Sequence, residues 1–173
     1  MRRLAAAVRP TRRSEATLTA LLVELVALYD VDGGAIYLAE DGGLSLHRAA
    51  ALEDGAEGDE GRAPPPERLA LGESAPGRAA LERRPQMIHA EGGTDAGGRA
   101  TIAAPMASAG SLVGVICLTT RPSRLTGRGE MLLLQALANR VGEVLLGPEA
   151  EQTARLKEAL DRFRASWSAA DHT

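Results

Sequence analysis

The spacing of apolar residues divides the chain into helical and extended stretches. Leu18, Leu21, Leu22, Leu25, Leu28 and Tyr29 recur at three- and four-residue intervals and make one face of a helix. Ser14 is placed to cap it, Glu15 stands in its positive first turn, and Asp32-Gly33-Gly34 is expected to end it. A strand over residues 35–39, a turn at Glu40-Asp41-Gly42-Gly43 and a return strand over 44–50 read as a hairpin. Residues 53–67 form a loop rich in glycine, proline and acids. A short strand over 69–71 leads to a helical segment within 72–84, where Pro76 suits a first turn. Residues 85–89 read as a strand and 91–98 as a second loop. Strands near 100–107 and 112–120 flank a tight turn at Ala109-Gly110. Their apolar residues do not alternate with polar ones, so burial on both faces is expected.

Thr126 is expected to cap the longest helix, which runs to about Leu146. Its apolar residues, from Met131 to Leu145, spread over an arc of about 160°, wider than the roughly 100° needed to pack on one sheet. That surplus predicts a second partner for the helix. Gly147-Pro148 breaks it, and a final helix carries Leu156, Leu160, Phe163 and Trp167 at 4-3-4 spacing. Hairpin-like connections make the sheet mostly antiparallel and the class α+β. The expected division is a basic flexible arm over 1–13, a folded domain over 14–147, and a C-terminal helix and tail over 148–173.

Length and composition narrow the function classes. A chain of 173 residues, 45% of them apolar, fits one domain with peripheral helices. No apolar run approaches the ~20 residues of a membrane span, so no membrane partner is expected. Cys117 is the single cysteine, which leaves no internal disulfide and fits a reducing, cytoplasmic setting. Five of the 20 basic residues lie in residues 1–13, so the remainder sets 15 bases against 23 acids, a charge of −8. That balance argues against nucleic-acid binding through the core domain.

Two motifs carry a resemblance. Gly72, Gly77, Arg84 and Pro85 form a glycine-x-x-x-x-glycine…arginine-proline pattern around the short helix. Pro105-Met106, Gly110 and Val113-Gly114-Val115 form a proline, turn and valine-glycine-valine hairpin, and Leu125-Thr126 precede the long helix. In this order they resemble the GAF domain, a sensory and regulatory module related to PAS domains, over residues 18–146. The resemblance implies a central, mostly antiparallel sheet of five or six strands, with terminal helices packed on one face. It places the short helix and loops over the other face, around a small-ligand cavity. Specialised members are not matched. The asparagine-lysine-phenylalanine-aspartate-glutamate set of cyclic-nucleotide binders is missing, and Cys117 lacks the adjacent histidine of bilin binders. The family's free-methionine-sulfoxide reductases use several cysteines, and His89-Ala90 stands where an aspartate is common.

Candidate chemistry is sparse. His89, beside the second loop, suits an anionic ligand, a pH response or haem iron, although the shortage of aromatics argues against haem. The plainer reading is a rim histidine facing water. Arg99 could pair with a carboxylate or phosphate, or simply be solvated. Tyr37, Met87 and Thr101 complete the candidate ligand-binding set. His47 is expected to be exposed, and Cys117 to be a small buried hydrophobe. With no catalytic arrangement or metal cluster apparent, the chain is expected to be no enzyme and to need no cofactor or metal. The expected role is regulatory: an unidentified small molecule binds in the cavity and the signal passes through the terminal helices to a partner output protein. A homodimer is expected through Leu18, Leu22, Leu25, Met131, Leu134, Val141 and Leu145. The alternative is an interaction module with a degenerate, empty pocket.

Overall fold

The first helix, α1 (Arg12–Tyr29), starts two residues before Ser14, which therefore lies inside the helix instead of capping it. It ends on Asp30, not on the glycines. Asp30 adopts φ 49°, and the Val31 amide donates to the Val26 carbonyl at 3.1 Å, closing the last turn. Gly33 and Gly34 belong instead to the first strand. The computed structural model describes residues 12–40, 43–52, 66–89, 100–120 and 128–170. Most of the basic arm, most of both long loops, and Arg99 and Thr126 lie outside them.

Six strands follow as β1 (Gly33–Glu40), β2 (Ser45–Leu52), β3 (Arg68–Ala70), β4 (Gln86–His89), β5 (Ala100–Ser108) and β6 (Ser111–Thr120). The short helix α2 (Ser74–Glu82) joins β3 to β4, and α3 (Arg128–Leu146) and α4 (Glu149–Ala170) end the chain. The strands form one antiparallel sheet in the order β3-β2-β1-β6-β5-β4. The class is α+β, as the hairpin-like connections implied. Gly114 stands where β6 passes closest to β1. A Cβ there would lie 2.0 Å from the Tyr37 carbonyl oxygen and 2.7 Å from the Met106 Cε, so only glycine fits between the strands.

One face of the sheet packs on α1 and α3 through Ile36, Leu38, Ile102, Met106, Ile116 and Leu118, all 2% exposed or less. The helix α4 lies along the outer side of α1 and α3 and buries Leu156, Leu160 and Phe163 against them. It is the second partner that the wide apolar arc of α3 called for. Burying these three side chains contributes roughly 1.5–3 kcal/mol each. Gln152 secures the turn into α4, its Nε2 donating to the carbonyls of Leu145 at 3.2 Å and Gly147 at 3.3 Å. The first is an end carbonyl of α3 that no intrahelical amide reaches, and the second lies in the break between α3 and α4. The opposite face of the sheet packs on α2. No described helix is long and apolar enough to cross a membrane.

Candidate functional site

The α2 face is built by strand register. Ala51 on β2 pairs with Ala35 on β1, Ala35 with Cys117 on β6, and Cys117 with Ala103 on β5. These four short side chains cross four adjacent strands in one row, about 14 Å long at the usual strand spacing. On one side of the row stand Tyr37 and its neighbours Arg48 and Val115. On the other stand Thr119, Thr101 and Ile88. The result is a low shelf with a taller wall at Tyr37. The helix α2 leans over β4, β5 and β6 at the β4 side of the sheet. It touches them through Ala75, Ala79 and Ala80, so alanine meets alanine across this second, thinner core.

Tyr37 is 2% exposed, and its hydroxyl donates to the Pro66 carbonyl at 3.1 Å. Burial pushes its pKa up to about 12, with Cys117 adding to the shift and Arg48 opposing it. Burial likewise pushes the Cys117 thiol far above the usual range, so it is a protonated, inert thiol at neutral pH. At the outer edge, the Glu82 carboxylate accepts from Arg84 Nε at 2.8 Å and Gln86 Nε2 at 2.7 Å. The Arg84 and Gln86 bonds lower its pKa. Among the described residues no group of three or more histidine, cysteine or acidic side chains converges on a common point.

Of the five ligand-binding candidates, the structure brings Tyr37 and Thr101 to the same face, on either side of the alanine–cysteine row. Met87 pairs with Ile102, whose side chain lies in the opposite core, so alternation turns Met87 away from Tyr37 and leaves it 40% exposed. His89 is placed by backbone register opposite Ala100. His47 is half-buried, not exposed, and its Nδ1 is enclosed without a partner among the described residues. The shelf residues Ala35, Ala51 and Ala103 carried no chemical signal in the sequence. Only the alternation of Ala35, Tyr37 and Ala39 along one strand hinted that they share a face.

The seven residues expected at a dimer interface are placed elsewhere. Leu18, Leu22, Leu25, Leu134 and Val141 are 0% exposed and Leu145 is 3% exposed, while Met131 packs partly buried against the same cluster. The sheet and α4 of the same chain already occupy these faces. No second chain reaches them without unpacking the core.

An antiparallel six-stranded sheet with terminal helices on one face and a short helix over a small-residue shelf on the other is the α+β architecture of a GAF-type domain. The chain belongs to the GAF domain family, whose sequence model matches residues 13–145. No curated protein matches the chain in sequence. Among solved structures it is similar to the second GAF domain of DevS from Mycobacterium smegmatis, at 16% identity and TM-score 0.54, over 87% of this chain and 97% of that one. The free methionine-R-sulfoxide reductase of Neisseria meningitidis, in complex with its substrate, is similar at 18% identity and TM-score 0.57, over 84% and 80%. The type II free methionine-R-sulfoxide reductase of Thermoplasma acidophilum is similar at 15% identity and TM-score 0.56, over 76% and 91%. These likenesses establish the fold. They also correct the expectation that the chain is no enzyme, because the same architecture serves reductases and so does not exclude catalysis.

Proposed function

We propose that this GAF domain is regulatory and takes a small, largely apolar molecule on the α2 face of its sheet. The observation that carries this reading is the row of Ala51, Ala35, Cys117 and Ala103 beside the tall Tyr37. The side chains of this face are short, so α2 packs on it through alanines, whereas leucine, isoleucine and methionine fill the other. Thr101 and Thr119 offer hydroxyls at one rim, enough to orient a neutral ligand by one or two hydrogen bonds. Tyr37 and Thr101 are the sequence candidates this reading retains. That the Neisseria meningitidis reductase was solved with its substrate supports the capacity of such a fold to hold a small molecule.

The signal would leave through β1. Ile36 and Leu38 flank Tyr37 in sequence and are buried against the helical layer, so a ligand that displaces β1 also displaces the seat of α1. Such a shift requires different ligand affinities in two states of the domain, and a partner output protein would read the new helix positions. A thermal-shift screen of neutral metabolites tests the site. A true ligand at a hundredfold excess over its Kd adds about 2.7 kcal/mol of stability, and Ala35→Phe, which fills the shelf, removes that gain. A library without a single hit, or a shift that survives Ala35→Phe, sinks the reading.

A further inference from the structure

We propose that the cleft between α1 and α4 binds the anion of a medium-chain fatty acid, its carboxylate held at Lys157 and its alkyl tail laid along the cleft floor. The two helices run parallel. The Thr17 and Thr153 hydroxyls, 3.3 Å apart, join them at one end, and the Glu24–Arg164 ion pair joins them at the other. Between these ties lies a cleft of about 470 Å³, within the roughly 300–1,000 Å³ of small-molecule sites. Leu21, Leu156 and Leu160 make its floor, and Ala16 and Ala20 line it from the α1 side. From Thr153 to Arg164 the helix advances about 16 Å, so the cleft is long enough for an extended alkyl tail.

Charge along α4 singles out one cation. Arg155 holds Glu151 at 2.9 Å and Arg162 holds Glu158 at 2.7 Å, both away from the cleft. Arg164 is bonded to both acids of the cleft rim, Glu24 and Asp161. Lys157, on that same rim, has no ion pair among the described residues. It stands one turn beyond Thr153 on the same helix face, so an anion at its ammonium also lies beside the Thr153 hydroxyl.

The chemistry of the occupant follows from this arrangement. A leucine floor takes an alkyl tail, and a single uncommitted ammonium at the rim takes one negative charge. A phosphate dianion would set a second charge near Asp161 and Glu24, and no further cation among the described residues lines the cleft to balance it. An alkylammonium would find both acids already held by Arg164. A filled cleft braces α4 against α1, so the ligand stabilises the docked position of α4. The site belongs to the helical layer, across the sheet from the α2 face, and stands or falls independently of a ligand there.

Backbone amide chemical shifts of the full-length protein, titrated with decanoate, test the proposal. Saturable shifts are expected at residues 16–24 of α1 and 153–164 of α4, with a Kd on the order of 100 µM for a cleft open on one side. A methylene half-buried in such a cleft is worth about twofold, so the shorter hexanoate should bind at least tenfold more weakly. Lys157→Gln should weaken decanoate about fivefold, the upper worth of an exposed ion pair, and leave binding of the neutral decanol unchanged. Ala20→Phe fills the cleft from an exposed position and should abolish binding of both without lowering the unfolding midpoint. Decanoate that produces no saturable shifts, or shifts centred on Tyr37 and Thr101, overturns the proposal. So does decanoate binding indifferent to Lys157→Gln or to Ala20→Phe, or a cleft closed by a second copy, seen as affinity falling away while protein concentration rises.

Discussion

The backbone amide of Gly72 donates to the carbonyl of Gly77 at 2.8 Å, and the Gly77 amide donates to the Glu73 carbonyl at 3.0 Å. This pair of bonds is the physical content of the glycine-x-x-x-x-glycine spacing. Gly72 turns the chain at φ 89°, and Gly77 lets the first turn of α2 press against β3, where a Cβ would lie 2.6 Å from the Ala70 carbonyl oxygen. Gly77→Ala is therefore expected to destabilise the domain by about 2–3 kcal/mol, because the obstacle is backbone and cannot swing aside. Gly129→Ala in α3, where an added Cβ meets nothing within 4 Å, should be neutral or stabilise by up to about 1 kcal/mol. Urea denaturation of the two variants checks the contrast.

The hairpin between β5 and β6 offers a gain instead. Ser108 pairs with Ser111, so Ala109 and Gly110 form a two-residue turn with φ 51° and 78°. Two positive φ values suit the right-handed twist of the strands, but alanine adopts the first only with strain. Ala109→Asn or Ala109→Gly is expected to raise the unfolding midpoint, with a gain of about 0.5–1 kcal/mol. An unchanged or lowered midpoint in both variants would show that the turn is unstrained.

Much of this architecture was legible because it is local. The Ala109-Gly110 turn, the glycine pair around α2 and the break at Gly147-Pro148 are each decided by a few neighbouring residues, and the structure has them where the spacing put them. The 4-3-4 stripe of α4 was also legible as apolar, but not its destination. Periodicity shows that a face is buried and not what buries it, so the surplus arc of α3 was read as a dimer surface when α4 covers it. The site failed differently. Met87 follows Gln86 by one residue, and one step along a strand exchanges faces, so proximity in sequence to the second loop placed it wrongly. The shelf is made of alanines, which carry no chemistry to notice until register sets them in a row.

Tyr37 sets a limit on the alkaline side. Its pKa rises from an ordinary 10.0 to about 12 in the folded domain. Above pH 10 the unfolded chain releases this proton while the folded chain keeps it, so the unfolded state binds fewer protons and stability falls as pH rises. The loss begins near pH 10 and is complete near pH 12, the window set by the ordinary and shifted values. Tyr29, also buried and shifted upward, acts in the same direction. Tyrosinate absorbance should therefore appear together with loss of secondary structure. The chain has only two tyrosines, Tyr29 and Tyr37, so a free-tyrosine titration in the intact domain would be easily seen and would contradict the expectation.

Packing, not charge, should hold α4 in place. Tyr29 stands 4.5 Å from Trp167 and 5.9 Å from Phe163 between ring centroids, and three of the four aromatic residues meet in this one cluster. Phe163 is 5% exposed, so Phe163→Ala removes a buried ring from the contact of α4 with α1 and α3 and is expected to cost about 3–4 kcal/mol. Arg164 pairs with Glu24 and Asp161, but its side chain is 41% exposed, and Arg164→Ala should cost less than about 1 kcal/mol. The single tryptophan reports on the same contact. Its emission should shift to the red in Phe163→Ala and hold in Arg164→Ala, and the reverse order would mean that the ion pair is what fastens the helix.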